Sequence, residues 1–119
     1  MKDLLDIYNN IENYIPDNRI DGVFIGQNDS LLEHLFNVIK EEWQILVVGN
    51  LKSQHDIFEN IKDGYYAATI SKANKKNLLT ILNKAYIEVL YVFDASGLPM
   101  VLIDDYPEDI TVNMDIFNI

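Results

Sequence analysis

Two apolar runs, Tyr86 to Phe93 and Pro99 to Ile103, are joined by little more than the turn Asp94-Ala95-Ser96-Gly97. A parallel pair needs a crossover of roughly a dozen residues or more, so these strands must form an antiparallel hairpin. Whatever sheet the chain builds has to contain that hairpin.

Upstream, short apolar runs alternate with helical patterns. From Asp3 to Ile15, the side chains of Leu4, Leu5, Ile7, Tyr8, Ile11, Tyr14 and Ile15 share one broad helical face, ended by Pro16. Asp17, Asn18, Asp21 and Gly22 supply turn chemistry, and Gly22 to Gly26 (GVFIG) reads as a buried strand. Ser30 and Glu33 form a capping box for a helix carrying Leu31, Leu32, Leu35, Phe36, Val38, Ile39 and Trp43. Gln44 to Val48 (QILVV) is a second strand. Ser53 starts a further helix, with Ile57, Phe58 and Ile61 on its apolar face and Gly64 at its C-terminus. Tyr65 to Ile70 is a third strand, and Ser71 caps a long helix burying Leu78, Leu79, Ile81, Leu82 and Ala85. Residues 107–119 fit either a helical turn after Pro107 or an extended segment.

Strands alternating with helices predict an α/β fold: a three-layer sandwich on a mainly parallel mixed sheet of about five strands. Helices should cover both faces, with the antiparallel hairpin at the C-terminal end. The 119 residues, 49% hydrophobic, suit one domain over 1–119. No apolar run has the length of a membrane span, and MKDLLDIYNN has no apolar leader region, so a cytoplasmic protein is expected. With no cysteine, disulfides and thiolate chemistry are excluded.

The charge, −10 in total, is unevenly placed. Residues 85–119 hold seven acids (Glu88, Asp94, Asp104, Asp105, Glu108, Asp109 and Asp115) and no basic residue. Residues 64–84 hold Lys72, Lys75, Lys76 and Lys84 and no acid. The densest stretch, DDYPED, sets four carboxylates around Tyr106. Such a group repels itself unless water or a cation screens it. It reads as a hydrated solubilising loop, as a dock for a basic protein, or as a hard-cation site. The last is weakest, because the spacing matches no calcium loop.

Catalytic patterns do not emerge. His34 projects from the polar side of its helix and His55 lies in a first helical turn, with no metalloprotease spacing between them. Ser30, Ser53 and Ser71 sit at caps and Ser96 in a turn; none lies in a G-x-S-x-G elbow. Tyr8, Tyr86 and Tyr91 follow apolar patterns and should be core. The strand-to-helix loop Gly26 to Ser30 is where open α/β sheets bind ligands, yet Asp29 would oppose a phosphate. A negative chain also repels nucleic acid. Asp94-Ala95-Ser96-Gly97-Leu98 resembles the D-S-S-G-L segment of anti-sigma-factor antagonist domains, but Pro99 and the apolar run after it favour a strand, and the element order differs.

The leading expectation is a small acidic binding protein that neutralises a basic protein partner, in concrete terms an immunity-type inhibitor of a bacterial toxin or nuclease effector. Asp94, Asp104, Asp105, Tyr106, Glu108 and Asp109 are its partner-binding candidates, with no catalytic residue, cofactor or metal assigned. The alternatives are a small-ligand or nucleotide-binding enzyme domain using the Gly26 to Ser30 loop, and a structural or regulatory subunit of a homo-oligomer.

Overall fold

The computed structural model describes residues 4–23, 28–51 and 56–118. Its strands are β1 (Arg19–Val23), β2 (Gln44–Asn50), β3 (Glu59–Lys62), β4 (Tyr65–Thr69), β5 (Tyr86–Phe93), β6 (Pro99–Asp104) and β7 (Asp109–Asn113). The helices are α1 (Leu4–Asn9), α2 (Asn28–Val38) and α3 (Lys75–Lys84), and 3-10 turns occupy Ile11–Asn13 and Met114–Asn118. The strands form one sheet in the order β1-β7-β6-β5-β2-β4-β3. Every neighbouring pair is antiparallel.

The expected mainly parallel three-layer sandwich is therefore wrong, for two physical reasons. First, Asp63-Gly64 is a hairpin turn rather than a helix end. Lys62 pairs with Tyr65 across it and Gly64 adopts φ 81°, a left-handed turn conformation that glycine reaches without steric cost. Ile57, Phe58 and Ile61 thus belong to β3 and its approach instead of a helix; Ser53 lies outside the described residues. Second, a crossover helix does not make its two strands neighbours. The α3 crossover joins β4 to β5, which run the same way, but β2 sits between them and opposes both. Likewise α2 joins β1 to β2 across three intervening strands.

Core formation follows the pleat. Ile45, Leu46 and Val47 in the interior strand β2 are all fully buried, which is why QILVV is apolar without alternation. Ile45, Val47, Leu90, Val92, Val101 and Ile103 face α2 and α3, meeting Leu32, Leu35, Phe36, Leu78 and Leu82. The opposite side holds Leu46, Tyr91, Phe93 and Leu102, covered by Leu4 and Ile7 of α1 with Tyr8, Ile11 and Tyr14 beside them. Each fully buried aliphatic side chain contributes about 1.5–3 kcal/mol. The layer of paired helices is on one side only; the six-residue α1 caps part of the other.

The hairpin required by spacing forms as β5–β6. Boundaries elsewhere moved. The first helix stops at Asn9, the first strand begins at Arg19, and α2 starts at Asn28 with Ser30 inside it. Ser71 and Asn74 cap reciprocally: the Ser71 N–H donates to Asn74 Oδ1 (2.8 Å) and the Asn74 N–H donates to Ser71 Oγ (3.1 Å). That delays α3 to Lys75. Tyr86, expected in the core, is 60% exposed at the start of β5.

Candidate acidic docking face

The densest acids lie at the β6–β7 hairpin. Asp104 pairs directly with Asp109, leaving residues 105–108 as the turn. Asp105 takes φ 46°, a left-handed conformation that Asp tolerates better than most residues, and the Tyr106–Pro107 peptide is cis. The Glu108 N–H donates to Asp105 O (2.9 Å), and the Tyr106 N–H donates to Glu88 O (2.9 Å), tying the turn to β5.

Register then assigns the carboxylates to a face. Leu102 lies on the α1 side, and Asp104, two residues on, shares that side. So does its cross-strand partner Asp109, and so do Thr111 and the opposing Asp21 on β1. The six-residue α1 packs on Leu46, Tyr91, Phe93 and Leu102, and Asp21, Asp104 and Asp109 beside it stay exposed. Asp21, Asp104, Asp109 and Thr111 line an open depression of about 440 Å³. Like charges directly opposite on a sheet destabilise it, so the Asp104–Asp109 pair is a local cost to the fold.

One contact offsets part of that repulsion at Asp104, and two more hold Asp21. The Tyr91 hydroxyl donates to Asp104 Oδ1 at 2.7 Å. The Thr111 hydroxyl donates to Asp21 Oδ1 at 2.9 Å. Arg19 Nε lies 3.4 Å from Asp21 Oδ2, with both side chains solvated, so that ion pair is weak. Burial, and then the bond to Asp104 with its charge, hold the Tyr91 phenol well above the usual range. Tyr8 is raised as well, first by burial and then by Tyr65, Asp104 and Glu88.

The raised phenols give a pH prediction. Both stay protonated in the fold beyond pH 10, where unfolded tyrosines ionise. The folded state then binds more protons, so stability is full below about pH 10 and falls as pH rises further. Tyr91→Phe is expected to cost about 1 kcal/mol at neutral pH and to flatten the alkaline fall. Urea midpoints between pH 7 and pH 11 measure both, and an unchanged alkaline slope would contradict the assignment.

The six candidates divide. Asp104 and Asp109 share the open face, and Asp105 and Glu108 are exposed on the turn beside it. Tyr106 is half-buried and packs on the core beneath α2 and α3. Asp94 sits at the other end of β6, roughly 20 Å away at strand rise. There its Oδ1 accepts from Ser96 N–H (2.9 Å), Ser96 Oγ (2.7 Å) and Leu98 N–H (2.9 Å), which builds the β5–β6 turn. Removing that acceptor in Asp94→Ala should cost about 1–3 kcal/mol in a thermal melt. Sequence reasoning missed Asp21, assigning it to a turn; the alternation Arg19, Ile20, Asp21 was the available strand signal.

Three lysines of the Lys72–Lys84 group lie on the opposite side of the sheet. Lys72, Lys75 and Lys76 border a cleft between α2 and α3, where Lys75 Nζ donates to Ile39 O at 2.8 Å. Among the described residues, no three carboxylate or imidazole side chains converge to hold a metal ion. His34 is exposed on α2; His55 and the loop residues Gly26 and Gln27 lie outside the described residues. No helix among the described residues is long and apolar enough to cross a membrane. Searches of protein families, of curated proteins and of solved structures find no match to this chain.

Proposed function

We propose that this chain is a small acidic binding protein that docks on a basic protein and neutralises it, as an immunity-type inhibitor does a bacterial toxin or nuclease effector. One observation carries the reading: the β6–β7 hairpin and β1 gather Asp21, Asp104 and Asp109 on a sheet face that α1 leaves open, with Asp105 and Glu108 at its rim. Opposed carboxylates cost stability in the free protein, and a cationic surface would relieve that cost on binding. Steering by the net charge of −10 would speed the encounter. Specificity would then come from pairs desolvated in the depression, rather than from charges at the rim.

The proposal takes the complex to form in the cytoplasm, between the chain and the product of a neighbouring gene. The test is co-expression with those gene products, followed by purification through a tag on this chain. A stoichiometric basic partner that dissociates when Asp104 and Asp109 are both reversed to lysine is the expected result. A partner retained undiminished by that variant, or recovery of the chain alone, would contradict the proposal.

A further inference from the structure

We propose that β1 is a self-association edge, pairing antiparallel with β1 of a second copy about a two-fold axis at Ile20. The inference rests on the β1 backbone edge, although Asp21 also lines the acidic depression. The sheet ends on β1 at one side and β3 at the other. The β3 edge is interrupted by a register shift between Asn60 and Lys62, a device that discourages further pairing. β1 has no such break: five consecutive residues stay in register with β7. Residues 17–22 are all exposed, and Ile20, an apolar side chain, is 53% exposed.

Hydrogen-bond parity fixes which groups are free to pair. The Met114 N–H donates to Asn18 O at 2.8 Å, so the backbone of Asn18 turns toward β7. Alternation turns Ile20 and Gly22 the same way, and aims the amides and carbonyls of Arg19, Asp21 and Val23 outward. An axis at Ile20 makes Ile20 face its own copy as a non-hydrogen-bonded pair. Arg19 then exchanges both backbone bonds with Asp21 of the second copy, and Asp21 with its Arg19. Charged edge strands normally repel copies of themselves. Here the inverted register sets opposite charges across the join twice, while an axis at Asp21 would set that carboxylate against itself. The apolar Ile20 pair lies on the α2/α3 side of the extended sheet.

Sedimentation equilibrium at about 0.15 M ionic strength, where surface charges beyond roughly 8 Å are screened, tests the proposal. The wild-type chain should show a concentration-dependent monomer–dimer equilibrium. R19D and D21R alone should each raise the dimer dissociation constant about tenfold, because each sets like charges opposite at two symmetric positions. Mixing the two variants should restore association: the introduced aspartate meets the introduced arginine, and native Asp21 meets native Arg19. In the wild-type, amide exchange at Arg19 and Asp21 should slow as concentration rises, while Ile20 and Gly22 stay protected throughout. A monomer at every concentration, or a dimer indifferent to both variants and to their mixing, would overturn the proposal, even if the edge pairs with a strand of some other protein.

Discussion

Replacing Gly49 with alanine is expected to destabilise the fold by about 3 kcal/mol, more than the same change at Gly64 or Gly22. Gly49 sits at the register shift between the paired strands β2 and β5, with φ 154°. A Cβ there would run into the Tyr86 carbonyl oxygen and come within 3.1 Å of Ile87 Cα. Both obstacles are backbone, so no side-chain rotation relieves them, and β5 would have to move away from β2. Two other glycines serve as internal standards. At Gly64 the nearest atom to a new Cβ is 3.7 Å away, leaving the cost of φ 81°, about 1–2 kcal/mol. At Gly22 nothing lies within 4 Å, and alanine should be neutral or slightly stabilising in the strand. Urea midpoints should therefore rank Gly22→Ala above wild type or equal to it, then Gly64→Ala, then Gly49→Ala. A Gly49→Ala midpoint close to wild type would show that the β2–β5 pairing yields at Gly49 without loss.

The second large effect concerns the open face. Reversing Asp21, Asp104 and Asp109 together to lysine should weaken partner binding about a thousandfold or more. Losing one desolvated charge pair costs about 2–5 kcal/mol, and about 1.4 kcal/mol is tenfold in affinity. Reversal at Asp94, at the far end of β6, should disturb the turn but leave affinity nearly unchanged in the surviving folded fraction. Stability and binding should also move in opposite directions on this face. Asp109→Asn removes the like-charge pair with Asp104 and should stabilise the free chain by up to about 1 kcal/mol, raising its melting temperature, while weakening the complex. Calorimetric titration and thermal melts read the two quantities separately. A gain in both would mean that these carboxylates do not contact the partner.

Particular residues show how far the sequence led. The apolar run QILVV was recognisable as a strand, and the four-residue turn from Asp94 to Gly97 required the β5–β6 hairpin. The Asp63-Gly64 signal was equally local, but a helical reading of Ile57, Phe58 and Ile61 absorbed it as a helix end. Strand order was not legible. Nothing in the spacing of Tyr65–Thr69 and Tyr86–Phe93 shows that β2 inserts between them, since that depends on hydrophobic contacts distant in sequence. The same limit governed the site. The DDYPED cluster was visible as a charge run, and its hairpin brings Asp104 and Asp109 together. Asp21, some eighty residues earlier, joins them only through the pairing of β1 with β7. Tyr106 looked like a contact residue because charges flank it in sequence, whereas the turn directs it to the opposite face.

Hydrogen exchange of the complex against the free chain tests the central claim most directly. The account predicts new protection at residues 104–111 and 19–22, around the acidic depression, with α2 and α3 unchanged. Protection confined to the lysine-bordered cleft between α2 and α3, with the β6–β7 hairpin exchanging as before, would contradict it.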